Sequence, residues 1–146
     1  MKILASISFI AAVLLATSVS AATHDNLTGR WQDNASGPNR MGALVVGKDK
    51  ISVGPKVSYQ VKGAGDFGDG ELFEVTNMIG TNDQNGCGPD GKVRFIAIQP
   101  LPTVPGLSDV SIRVFFYSGT KLPSVESIQN DIGLCSIHPF SRANQK

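Results

Sequence analysis

The chain has 146 residues, of which 13 are Lys or Arg and 12 are Asp or Glu, and 41% of its residues are hydrophobic. The charges are balanced and scattered, so the chain lacks the basic stretch that binding to nucleic acid or to an anionic membrane surface requires. The length suits a single domain with a real hydrophobic core.

Residues 1–21 have the three parts of a secretory signal peptide. Lys2 is followed by an uncharged, mostly apolar run and then by small residues, and no basic stop-transfer cluster comes after the run. We predict cleavage after Ala21 or Ala22. One domain, residues 22–146, would then remain with 12 basic and 12 acidic side chains, because Lys2 is lost. The mature protein is expected to be secreted or periplasmic, with no membrane anchor.

The cleavage position decides whether the new N-terminus can bind copper. Cleavage after Ala21 places His24 third in the mature chain. The terminal amine, two backbone amides and the imidazole then offer four nitrogens in one plane, which suits Cu(II) or Ni(II). Cleavage after Ala22 breaks this geometry. For the folded domain itself we expect no metal and no cofactor.

From Leu27 onward the pattern is that of an all-β protein. Short apolar segments, several with period-two alternation, are separated by glycine-rich or proline-rich connections. Residues 43–46 and 51–53 flank Gly47–Lys50 as a hairpin, and Val110–Tyr117 is the clearest strand, with Phe115 and Tyr117 making its second face partly apolar. The predicted strands lie within 27–33, 43–46, 51–53, 57–61, 71–77, 92–98, 110–117 and 134–140.

Three connections are long enough to be predicted as mobile loops. They are Gly63–Gly70, Gly80–Gly91 and Pro100–Asp109. Pro123–Asn130 is the one place where a short helix fits, because Ser124 could cap it. About seven or eight short strands predict an antiparallel meander, either a small barrel or a sandwich, and closure into a barrel would remove exposed strand edges.

The segment LTGRW, residues 27–31, opens the predicted domain. It resembles the Gly-x-Trp opening of calycin-like barrels of the lipocalin and avidin type. The resemblance implies a barrel in which Gly29 and Trp31 lie on the first strand and the tryptophan packs across one end. The chain departs from the avidin pattern, which supplies several tryptophans to its ligand, because Trp31 is the only one here. The alternative for Trp31 is a core aromatic beside a turn.

Cys87 and Cys135 are the only cysteines, and both lie in the exported part. Oxidising conditions there favour a disulfide, and two cysteines allow one intramolecular pairing. The alternatives are a reactive Cys135 thiol beside His138, or half of a zinc site. Structural zinc needs four ligands, which this chain supplies poorly. We therefore predict the disulfide.

The segment GTNDQNGCGPDGKV, residues 80–93, also resembles a calcium loop in composition. With Gly86 aligned as the invariant glycine of an EF-hand, Thr81 occupies the first ligand position and Lys92 the last, where Asp and Glu are required. We predict a turn-rich loop that carries one end of the disulfide.

Catalytic patterns are weak. The chain has two histidines, His24 and His138, and neither a Gly-x-Ser-x-Gly elbow nor a His-Glu-x-x-His pair. Four carboxylates that lie close in sequence could form a catalytic pair, but such clusters usually lie on solvated faces; they are Asp66, Asp69, Glu71 and Glu74. We predict a protein that is not an enzyme.

Two non-enzymatic functions remain. In the first, the barrel mouth carries a small apolar ligand, lined by aromatic side chains that could equally fill the core; these are Phe67, Phe73, Phe95, Phe115, Phe116 and Tyr117. In the second function, which we favour, the disulfide-bonded domain presents its loops to another extracytoplasmic protein, as an inhibitor-type module does.

Overall fold

The structure is a computed structural model that describes residues 25–80, 85–88 and 92–143. The predicted signal peptide and the His24 copper tail lie outside these residues. Eight strands form the domain: β1 (Gly29–Asp33), β2 (Leu44–Val46), β3 (Lys50–Val53), β4 (Val57–Phe67), β5 (Gly70–Ile79), β6 (Phe95–Pro100), β7 (Asp109–Tyr117) and β8 (Leu134–Ala143). Short 3-10 helices span Asp25–Leu27, Gly37–Asn39 and Val125–Asn130.

Each strand pairs antiparallel with the next, and β8 pairs with β1, so the sheet closes into a barrel. The all-β prediction is confirmed, and the barrel is the alternative that the chain adopts. The closing seam is short, since its register pairs are Gln32 with Ser141 and Asp33 with Phe140. The described residues contain no helix with the length and apolar character needed to cross a membrane.

The two ends of the barrel differ. At the N-terminal end, the start of β1 meets the β2–β3, β4–β5 and β6–β7 connections. At the disulfide end lie the connections 34–43, 54–56 and 118–133, together with the described residues of the β5–β6 connection, 80, 85–88 and 92–94. The names N-terminal end and disulfide end are used below in this sense.

Side chains fill the interior of the barrel. Period-two alternation directs one face of every strand inward, and the inward residues form one cluster with relative exposures of 5% or less. An eight-stranded barrel has an interior just wide enough for its own side chains or for one small ligand, and here the side chains occupy it. The largest members are Trp31, Tyr59, Phe73, Phe116 and Phe140.

A second apolar cluster covers part of the outer surface, and it explains why β7 is apolar on both faces. Its members are Phe67, Leu72, Phe95, Ala97, Phe115 and Tyr117. The 118–133 connection lies over this cluster, with Val125 and Ile128 packed against it. The tip of the β4–β5 hairpin covers it from the other side, where the Phe67 and Phe115 ring centroids are 5.2 Å apart.

The prediction of a loop at Gly63–Gly70 is wrong. β4 continues to Phe67 and β5 begins at Gly70, so only a two-residue turn separates them. The glycines permit register shifts rather than ending the strand; one shift falls between Gly63 and Gly65. Such bulges bend a strand sharply.

The short C-terminal helix is a 3-10 helix, Val125–Asn130. Ser124 precedes it but makes no side-chain cap to a backbone N–H. Its hydroxyl donates instead to the Ser127 hydroxyl, at 3.2 Å. The side chains of Val125 and Ile128 face the outer cluster, so packing holds this turn in place.

Both tyrosines of the chain are expected to titrate late. Tyr59 is buried in the interior and Tyr117 in the outer cluster. Burial raises the pKa of Tyr59, and burial together with the negative charge of Asp131 raises the pKa of Tyr117 to about 12. A raised pKa means that the neutral phenol stabilises the fold fully below about pH 10, and that this stability is lost as the pH rises toward about 12.

Phenolate absorbance measured against pH tests this expectation. The native protein should show little phenolate at pH 10, whereas the protein in denaturant should titrate near the ordinary value. Tyr117→Phe should leave a single late transition, from Tyr59. A native midpoint near 10 would mean that at least one ring is in water.

Candidate functional site

The N-terminal end is closed by a contact between the first and last strands. Trp31 is 2% exposed and its indole N–H donates to the carbonyl of Leu27 at 2.9 Å. The guanidinium of Arg142 lies 4.1 Å from the centre of the indole ring. It also donates to the carbonyl of Thr28 at 2.7 Å and to that of Asn26. Arg142 therefore joins the segment before β1 to the end of β8.

Both the backbone conformation and the packing at position 29 favour glycine. Its φ is +110°, a conformation that side chains disfavour, and an added Cβ would lie 3.2 Å from Nη1 of Arg142. Gly29 and Trp31 thus both lie at the start of β1, against the guanidinium of Arg142. Arg142 was not singled out by sequence analysis, because nothing in the sequence of β8 shows which residue it will meet across the barrel.

A cavity of 790 Å³ opens at this same end. The segment before β1 lies on one side of it, and the end of β6 with the start of β7 on the other. Its apolar wall includes Leu27, Trp31, Leu101, Val110 and Ile112. Its charged groups are Asp25, Arg30 and Arg142.

At the disulfide end, Cys87 and Cys135 are bonded, with an S–S distance of 2.11 Å and a sequence separation of 48 residues. The bridge holds residues 85–88 against the start of β8. Gly86, at φ +72°, lies so close that an added Cβ would be 2.9 Å from the carbonyl oxygen of Cys135. With its thiol in the bond, Cys135 is not a nucleophile for His138 to activate.

Asn85 is a buried polar residue next to the disulfide. It is fully buried, and its side-chain oxygen accepts a hydrogen bond from the N–H of Cys87 at 2.9 Å. Its carbonyl accepts a hydrogen bond from the hydroxyl of Ser136. Burial raises the pKa of Tyr59, and an interaction with the Asn85 side chain lowers it by a smaller amount. In the part that the structure describes, the fourteen-residue segment that resembles a calcium loop thus contributes one cysteine of the disulfide and the buried Asn85.

Two titratable side chains point into the barrel. Glu71 is 4% exposed and shares the inward face of β5 with Phe73. His138 is buried on β8, with its ring 6.0 Å from that of Phe116. β6 and β7 separate the two strands in the sheet.

The expectation that all four clustered carboxylates lie on solvated faces is wrong for Glu71. Asp66 and Asp69 are exposed, and Glu74 pairs at 3.0 Å with Lys62 on the outer face. Glu71 turns inward because strand alternation places it two residues from the inward Phe73. Asp66 and Glu71 are register partners across β4 and β5, whereas Glu74 pairs with Lys62, so the structure does not bring all four carboxylates together.

The large apolar side chains that remain exposed lie mostly on connections. Val104 and Leu107 are on the β6–β7 connection, and Leu122 and Ile132 are on the β7–β8 connection, where Ile132 is fully exposed. Val45, Ile79 and Ile137 are exposed on strands. The proline-rich and C-terminal connections therefore differ from ordinary polar loops.

Within residues 25–80, 85–88 and 92–143, no group of three His, Cys, Asp or Glu side chains is placed to hold a metal ion. No family model, curated protein or solved structure matches the chain. The closed eight-stranded antiparallel barrel is compatible with a calycin-like fold.

Proposed function

We propose that this protein is an exported, non-enzymatic β-barrel that binds another extracytoplasmic protein through its loops, as an inhibitor-type module. The observation that carries the proposal is the contrast between a filled interior and exposed apolar side chains on two connections. The disulfide is consistent with a secreted or periplasmic location, since such bonds persist in oxidising compartments.

The β7–β8 connection is the best-supported binding loop. Its ends are joined by a hydrogen bond from the N–H of Ser118 to the carbonyl of Gly133, at 2.8 Å. Gly119 and Gly133 pack so closely that a Cβ on Gly133 would lie 2.9 Å from the Cα of Gly119. Compact loops with adjoining ends of this kind are frequently functional.

The same connection is anchored on one side and exposed on the other. Val125 and Ile128 pack on the outer cluster, while Leu122 and Ile132 face away from the barrel. A loop that is already ordered loses little conformational entropy when it binds. Two exposed apolar side chains on such a loop are suitable anchors for a protein partner.

A ligand in the barrel interior has less support. Aromatic side chains fill that space, so an interior ligand would have to displace one of them. The cavity at the N-terminal end lies beside this core. For catalysis, a Ser-His-Asp arrangement within the folded domain would have to use His138, which is buried against Phe116 inside the barrel. Its position argues against contact with a substrate.

The double variant Leu122→Asp, Ile132→Asp tests the loop. Complexes would be captured by cross-linking in the compartment to which the protein is exported, and the partner then purified and its affinity measured. We expect binding to weaken at least about tenfold, because truncating an interface anchor costs more than about 1 kcal/mol. The double variant Val45→Asp, Ile79→Asp is the matched control, since it places the same two charges on exposed strand positions. Wild-type affinity in the loop variant, or the absence of any complex, would contradict the proposal.

A further inference from the structure

We propose that the cavity at the N-terminal end binds a small amphipathic anion, namely an aliphatic carboxylate of medium chain length. Its acid group would meet the arginines at the cavity, and its chain would lie on the apolar wall. No residue of the β7–β8 loop lines this cavity, so the inference goes beyond the proposed protein-binding function.

The size and lining of the cavity fit such a ligand. Its volume of 790 Å³ lies within the usual range for small-molecule sites, roughly 300–1,000 Å³. The half-buried side chains of Leu101 and Val110 form an apolar wall over the buried Ile112, and Thr103, Ser111 and the charged groups also line the cavity. A lining of apolar and polar groups together favours a molecule with an apolar chain and one polar end.

The charge of the lining favours an anion over a cation. Arg30 and Arg142 line the cavity against a single carboxylate, that of Asp25. Asp25 and Arg30 are both exposed, so water and salt screen the two about equally, whereas Arg142 is half-buried and is screened less. A carboxylate on the ligand would therefore experience a net positive charge.

Arg142 is pre-organised to receive a carboxylate. Two of its five N–H groups donate to the carbonyls of Asn26 and Thr28, and the indole of Trp31 supports its plane. Within residues 25–80, 85–88 and 92–143 the other three N–H donors have no acceptor, on a group whose position is already fixed. Binding to a fixed guanidinium loses little side-chain entropy, and its planar geometry matches that of a carboxylate.

The fluorescence of Trp31 reports ligand binding in this test, since Trp31 is the only tryptophan of the chain and lines the cavity. Mature protein would be titrated with decanoate, decan-1-ol and acetate while tryptophan emission and heat of binding are recorded. We expect saturable one-to-one binding of decanoate, at least about tenfold weaker binding of decan-1-ol, and no saturation with acetate.

Substitutions at Leu101 and Arg30 separate the site from general surface binding. Leu101→Glu places a carboxylate on the wall and should weaken decanoate binding at least about tenfold, whereas Leu101→Gln, of similar size and neutral, should weaken it less. Arg30→Glu should weaken binding and Arg30→Lys should largely keep it. Arg142 is left intact because it also holds the segment before β1. Melting curves confirm that each variant is folded.

Three results would overturn the inference: a linear, non-saturating change in emission, equal affinity for the alcohol and the carboxylate, or unchanged binding in folded Leu101→Glu. None of them bears on the β7–β8 loop, so the protein-binding proposal is tested separately.

Discussion

Replacing Trp31 by alanine is expected to lower the free energy of unfolding by roughly 3–5 kcal/mol, the range for removing a large buried aromatic side chain. The indole is 2% exposed, donates a hydrogen bond to Leu27 and supports the guanidinium of Arg142. Its loss leaves a cavity at the N-terminal end and removes one side of the contact between β8 and the segment before β1. Urea denaturation followed by circular dichroism measures the change.

Two further variants interpret the result. Trp31→Phe keeps a ring beneath Arg142 but loses the N–H that donates to Leu27, so it should cost clearly less than the alanine variant. Val45→Ala removes an exposed apolar side chain from the neighbouring strand and should change stability by less than about 0.5 kcal/mol. A cost below about 1 kcal/mol for Trp31→Ala would place the indole at the surface and discard its role in closing the barrel end.

Removing the disulfide should have an effect of similar size. The double variant Cys87→Ser, Cys135→Ser opens a loop of 48 residues, which corresponds to roughly 4 kcal/mol in the chain-entropy model. The wild-type protein treated with a dithiol reductant should lose about as much stability. The variant Asn85→Ala keeps the disulfide but removes the buried amide side chain that accepts a hydrogen bond from Cys87. It therefore separates the contribution of this side chain from that of the covalent link.

Thiol titration checks the premise. Protein recovered from an oxidising compartment, then denatured without reduction, should show no reactive thiol. Two reactive thiols would rule out the bond and reinstate the interpretation of Cys135 as a nucleophile beside His138. Equal stability of the double variant and the wild type would show that the bond forms without stabilising the fold.

Both experiments test contacts that supplement the short pairing between β1 and β8. Two register pairs join these strands. At the N-terminal end Arg142 adds hydrogen bonds to Asn26 and Thr28, and at the disulfide end Cys87 is bonded to the start of β8. The arginine and the disulfide therefore tie β8 to other parts of the chain on either side of the seam.

The sequence by itself determined the all-β class and most of the strands, because period-two alternation and turn residues are local patterns. The hairpin around Gly47–Lys50 and the strand over Val110–Tyr117 were recognised in this way. The choice between barrel and sandwich could not be made locally, because it depends on the pairing of β1 with β8, more than a hundred residues apart. Glycine content likewise could not distinguish a loop at Gly63–Gly70 from a bulged strand, since glycine serves both.

Only the tertiary structure decided which side chains meet. Glu71 turns inward because bulges and pairing set the register of β5, and a shift of one residue would have turned it outward. Phe115 and Tyr117 are buried on the outer face because the β7–β8 connection and the tip of the β4–β5 hairpin cover them, which no alternation within β7 can reveal. Arg142 meets Trp31 only because closure of the sheet brings the last strand to the first. Local sequence fixes the period of a strand, whereas register and closure come from the packing of the whole chain.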